Sequence, residues 1–109
     1  MSINLLNSGF SIFLDMENIK ELSIIKSDER GMIYNCEKMN FLVRKKGTIS
    51  SDHSHAEGED IFLVEGKIEL TVGNETRKVK APIKIEIPPN TYHKIIAITD
   101  IRILYYYKY

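Results

Sequence analysis

The sequence predicts an all-β protein on three observations. Apolar and polar residues alternate through its second half, glycines punctuate it at short intervals, and its length suits one core. Gly31, Gly47, Gly58, Gly66 and Gly73 separate segments rich in Ile, Val, Phe, Leu and Tyr, which is the spacing of short strands joined by turns. With 109 residues, 43% of them apolar, the chain can bury one domain core and is too short for two. No internal repeat, low-complexity run or linker divides it, so a single domain is expected over residues 1–109.

From the N-terminus, Asp15 is a candidate cap for a short helix over residues 15–22, because Met16, Glu17, Lys20 and Glu21 tolerate helix. Residues 22–26, 32–36 and 41–44 read as strands, with Asp28-Glu29-Arg30-Gly31 turning between the first two. Beyond residue 60 the alternation is clearest. Ile68, Leu70 and Val72 alternate with Lys67, Glu69 and Thr71, and Ile83, Ile85 and Ile87 alternate with Lys84 and Glu86. Ile101, Ile103 and Tyr105 continue this period of two, the mark of strands with one buried face. Glu65-Gly66 and Gly73-Asn74 read as tight hairpin turns, since Gly and Asn accept positive φ, so consecutive antiparallel strands are expected. So many short strands in a small chain imply a sandwich or barrel whose sheets cover each other.

Fifteen Lys plus Arg balance fifteen Asp plus Glu, which removes the electrostatic footprint of a nucleic-acid or anionic-membrane binder. The expected partner is a small molecule or another protein. Apolar runs reach only four or five residues, as in 61–64 and 103–107, against roughly 20 for a membrane-spanning helix. The apolar positions Leu5, Leu6, Phe10 and Phe13 precede the first basic residue, Lys20, and so lack the positive flank of a signal peptide. A cytoplasmic location is expected, and the lone Cys36, read as a small apolar residue, agrees with a reducing compartment.

All three histidines fall into one pattern. Gly47, His53, His55, Glu59 and Gly66 form a first block, and Pro88-Pro89-Asn90-Thr91-Tyr92-His93 a second. Together, over residues 44–97, they resemble the two motifs of the cupin superfamily. The resemblance implies a double-stranded β-helix, or jelly-roll, barrel with its core over about 32–104. It also implies a metal site on His53, His55, Glu59 and His93, and a homodimer. The second block departs from the family pattern at Pro82, Asn90 and Ala97. Asn90 is a mild change, because Asn tolerates the left-handed conformation of a tight turn.

The chemistry of the residues agrees. Imidazoles two residues apart on a strand share a face and lean toward one ion, a short turn brings Glu59 in, and His93 closes the site if its strand lies alongside. Three imidazoles and a carboxylate suit a divalent transition metal such as Fe, Mn, Ni, Co, Cu or Zn, not Ca or Mg. On an octahedral ion they leave open positions, so an isomerase, lyase or dioxygenase is expected, with a non-catalytic ligand-binding cupin as the alternative. The segment Asp28-Glu29-Arg30-Gly31 also resembles one that precedes the barrel in cupin-fold deoxysugar-nucleotide epimerases and ketoisomerases. A plain β-turn accounts for it more economically.

Around the motif, Glu57 and Asp60 read as a solvated acidic turn, with Asp60 facing away from Glu59. Arg44, Lys45 and Lys46 read as a solvated strand end, with Arg44 alternatively reaching a carboxylate or phosphate of a substrate. Tyr92 should point away from His93. The tyrosine tail, Tyr105, Tyr106, Tyr107 and Tyr109, reads as a terminal strand at a subunit interface.

Overall fold

A computed structural model describes residues 18–109. The strands are β1 (Ile24–Asp28), β2 (Gly31–Cys36), β3 (Met39–Arg44), β4 (Ile49–His53), β5 (Gly58–Glu65), β6 (Lys67–Val72), β7 (Glu75–Lys80), β8 (Ile83–Ile87), β9 (His93–Ala97) and β10 (Ile101–Lys108). They form two antiparallel sheets, one six-stranded in the order β1-β2-β3-β10-β5-β8 and one four-stranded in the order β4-β9-β6-β7. The fold is the expected all-β jelly roll. From β3 onward every connection except the β6–β7 hairpin carries the chain from one sheet to the other. The start of the expected helix, Asp15 to Glu17, lies outside the described residues, and residues 18–22 form a turn and irregular chain rather than helix. One or two turns gain too few hydrogen bonds to offset helix nucleation.

The core is the set of inward positions that the alternation marks. Ile61 and Leu63, Ile85 and Ile87, Ile95 and Ala97, and Ile101 and Ile103 are all buried, together with Ile33, Leu42 and Ile68. Each fully buried Ile or Leu side chain contributes about 1.5–3 kcal/mol. The charged residues of β7, Glu75, Arg77, Lys78 and Lys80, sit on an edge strand, where charge discourages pairing with another chain.

Two turns behave as expected and one does not. Gly73-Asn74 joins β6 to its partner β7 with Val72 opposite Glu75, and Gly73 takes a φ of 62°. At Asp28–Gly31 the Asp28 carboxylate accepts the Arg30 backbone N–H at 2.9 Å and its guanidinium at 2.7 Å. This is an ordinary Asx-type turn, and it accounts for the Asp-x-Arg-Gly segment. Glu65-Gly66, by contrast, is a corner between sheets rather than a hairpin, because β5 and β6 lie in different sheets. Gly66 has a φ of 104° there, and a Cβ would strike the Asp100 carbonyl oxygen. That close approach lets the chain leave β5 and enter the opposite sheet within one residue.

Candidate metal centre

The residues of both motif blocks meet between the two sheets. His53 on β4 lies directly opposite His93 on β9. Between Ser50 and His53 the register slips by one residue, and Ser51 adopts a φ of 56°. This is a β-bulge. Without the extra residue Asp52 would stand opposite His93 and His53 would turn to the other face. β4 ends at His53, so His53 and His55 are not an i, i+2 pair on one strand, as their spacing suggested. His55 lies in the following connection, where its carbonyl accepts the Asn90 backbone N–H at 2.7 Å. Asn90 supplies that bond from the left-handed conformation expected of it, at a φ of 59°.

The three rings stand 4.9 to 5.0 Å apart by centroid, each pair strongly inclined. Their ligand-capable nitrogens lie within 4.8 Å of one another. Two main-chain carbonyls set the tautomers. His55 Nδ1–H donates to the Glu57 carbonyl oxygen at 2.8 Å and His93 Nδ1–H donates to that of Thr91 at 3.0 Å. A carbonyl only accepts, so in each neutral ring Nε2 carries a lone pair. Both Nε2 atoms face one oxygen, Glu59 Oε1, at 3.2 Å from His55 and 3.3 Å from His93.

Three acceptors therefore converge, with Glu59 only 3% exposed and His93 fully buried, and His93 Nε2 has no hydrogen-bond partner. A cation, whether a proton or a metal ion, satisfies all of them. The donor set fits a borderline divalent metal, and each carbonyl-anchored imidazole has the orientation that metal-binding histidines use. The pKa directions follow the same field. Burial pushes His53 down, and the neighbouring His93 and His55 push it further. Burial also opposes charge on His93, but the Glu59 carboxylate and the Thr91 carbonyl outweigh it and the net direction is upward.

Beside this cluster lies a cavity of about 310 Å³, lined on its apolar side by Ile33, Leu42, Ile61, Ile95 and Ile103 and otherwise by polar and charged residues that include Lys26, Arg30, Ser50, Asp52 and His53. Tyr107 stands opposite Glu59 on β10, its ring 5.1 Å from that of His55. Burial, then the Glu59 charge, pushes its phenol up to about 12, so it keeps its proton at neutral pH. Tyr105 also lines the cavity. The interface expected for the tyrosine tail is thus not needed to explain Tyr105 and Tyr107. Extending the alternation Ile101, Ile103, Tyr105 by one step would have found Tyr107.

Arg44 corrects the reading of a solvated strand end. It is 3% exposed and lines the cavity, one alternation beyond the buried Leu42. Asp60 faces away from Glu59 as expected but is not solvated. It is 2% exposed, accepts the Tyr106 hydroxyl at 2.7 Å and pairs with Lys108 at 3.2 Å and Lys84 at 3.6 Å. Its hydrogen-bonded tyrosine and cationic neighbours pull its carboxyl below the usual range, against burial. Glu57 contributes its carbonyl to His55, while its carboxylate stands 3.7 Å from Nδ1. Tyr92 is exposed and donates to Asp52. Cys36 is a half-buried free thiol. Among the described residues, no helix is long and apolar enough to cross a membrane.

Comparison with known proteins bears on the family and the fold. A family model described as the cupin domain matches residues 40–107. An uncharacterized protein of Streptomyces coelicolor is 37% identical over 59 residues, a segment that makes up 53% of this chain and 56% of that relative. The chain thus spans little more than half the length of the curated relative it matches. The capsular polysaccharide assembling protein CapF of Staphylococcus aureus superposes with a TM-score of 0.73 at 18% identity, covering 84% of this chain and 29% of that one. A mutant of the salicylate 1,2-dioxygenase of Pseudoaminobacter salicylatoxidans gives 0.61 at 14% identity, covering 70% and 21%. At such identities the two structures speak for the fold alone.

Proposed function

The chain belongs to the cupin family, and from that premise we propose that His53, His55, Glu59 and His93 hold one divalent transition metal and that the protein is an enzyme acting on a small organic molecule in the adjoining cavity. One observation carries this reading. His55 Nε2 and His93 Nε2, left as lone pairs by the carbonyl-bound Nδ1–H groups, converge on Glu59 Oε1 at 3.2 and 3.3 Å, an arrangement that a cation completes. When bound, Fe, Mn, Ni, Co, Cu or Zn supplies Lewis acidity toward a carbonyl or enediol oxygen, or redox chemistry.

The chain's own groups favour the first use. The Glu57 and Thr91 carbonyls hold the imidazoles in one tautomer and orientation. The isoleucine and leucine side chains form an apolar part of the cavity beside its charged lining, which strengthens the charge interactions near them. Tyr107 keeps its proton beside His55 and is placed to donate it to a substrate oxygen. Proton movement of isomerase or lyase type uses all of these groups. A cytoplasmic location suits the free thiol of Cys36, and for a homodimer the exposed Ile24 and Ile25 of edge strand β1 offer an apolar surface.

The test is elemental analysis of protein purified without added metal, expected to show close to one transition metal per chain. His53→Ala and His93→Ala should each lower that content sharply, because each removes a donor atom. Equal metal content in variant and parent would refute the assignment.

A further inference from the structure

Arg44 is the most deeply buried cation of the cavity. Its neighbour Arg30 is engaged by Asp28, through Nε at 3.1 Å and Nη2 at 2.7 Å, and sends Nη1 to the Ile49 carbonyl oxygen at 3.0 Å. Arg44 is more buried, yet Nη1 donates only to the Val43 carbonyl oxygen at 3.2 Å and Nε has no partner. No salt bridge reaches it among the described residues. Ser50, 5% exposed on β4, lines the same cavity and its Oγ is also buried without a partner. A buried guanidinium left unpaired destabilises the fold, so its retention calls for a ligand that completes it.

We propose that this cavity binds small organic carboxylates, with Arg44 and Ser50 as the residues that hold the carboxylate group. The identity of the anion follows from the donors. A planar guanidinium edge and one hydroxyl match the two oxygens and single charge of a carboxylate, whereas a phosphate brings three oxygens and a larger charge. Burial and the positive charge of Arg30 disfavour the Arg44 cation more than Asp28 and Tyr105 favour it, and a bound carboxylate reverses that imbalance. The apolar walls between accept a short carbon skeleton, and about 310 Å³ holds roughly ten water-sized groups. Resting on the metal reading above, the substrate is then a small acid with a carbonyl or hydroxyl oxygen that faces the imidazoles while its carboxylate lies on Arg44.

The experiment is thermal melting and calorimetric titration of the full chain with benzoate and 2-oxobutanoate at constant ionic strength. Benzamide serves as the uncharged counterpart and inorganic phosphate as the competing anion. Both carboxylates should raise the melting temperature of the parent and benzamide should not. Arg44→Met should melt at or above the parent without ligand, because it removes an unpaired buried charge. It should bind the carboxylates about tenfold more weakly or worse, the loss expected for a charge-assisted contact. Ser50→Ala should weaken binding by a smaller factor. If Arg44→Met does not fold, Arg44→Lys keeps the charge without the planar edge and should still weaken binding.

The proposal is overturned if no carboxylate binds the parent, if benzamide or phosphate binds as well, or if the Arg44 variants bind carboxylates like the parent. Running each titration on protein as purified and after chelation separates the two readings. A parent without metal sinks the metal centre and leaves carboxylate binding to stand or fall on its own.

Discussion

Glu59→Gln should move metal content and metal-free stability in opposite directions. In the parent, Glu59 Oε1 faces the Nε2 lone pairs of His55 and His93 at 3.2 and 3.3 Å, so acceptors oppose one another unless a cation lies between them. An amide of the same shape turns its two N–H groups toward those lone pairs and makes both hydrogen bonds. Each contributes about 1 kcal/mol net, or roughly 2 kcal/mol together. For a chain of this size that is a rise in melting temperature of about 8 °C or more. The measurement is thermal unfolding of chelator-treated parent and variant at pH 9, above the titration range of an ordinary imidazole, with metal content measured in parallel on untreated protein. The variant should melt higher and carry less metal, because a neutral amide is a poorer ligand than a carboxylate. A chelated variant that melts at or below the parent would refute the conflict between acceptors. Undiminished metal content would refute Glu59 as a ligand.

The other predictions test neighbouring parts of the same account. Glu57→Gln should leave metal content nearly unchanged, because the main-chain carbonyl of Glu57 orients His55; a large loss in elemental analysis would mean that the wrong acid was assigned. Ser51→Gly should raise the melting temperature by several degrees without altering metal content, since a φ of 56° costs a non-glycine residue about 1 kcal/mol. A fall in stability would count against the bulge. The hydrogen bonds from Arg30 hold the Asp28 carboxyl at about 2 rather than its ordinary 3.8. A depressed folded-state pKa stabilises above the unfolded value and loses that contribution as pH falls through the folded one. Melting temperatures of the parent and Asp28→Asn should therefore differ by a constant amount above about pH 5 and converge toward pH 2. Parallel curves across that window would exclude the pair as a source of acid sensitivity.

The strands were legible because alternation is a local property. Ile83, Ile85 and Ile87 declare a buried face whatever lies across from them, and a wrong partner would not change which side is apolar. The four candidate ligands were legible for a chemical reason, since three imidazoles and an acid clustered in two short blocks have little use in a solvated surface. The same alternation, carried one step past Leu42 and past Tyr105, would have placed Arg44 and Tyr107 in the cavity. There the residue type argued for solvent or an interface, and position outweighed it.

By itself, then, the sequence determined the all-β class, the inward faces and the kinds of atom available to a metal. Only the tertiary structure decided that β5 and β6 part at the Gly66 corner, and that a bulge at Ser51 swings His53 across from His93. It alone showed Arg44 sealed in, with no salt bridge to it among the described residues. The physical reason is range. Which face a residue takes depends on its neighbours in the chain, whereas which strand lies beside it and what charge it meets depend on residues tens of positions away, brought close by burial of the common core.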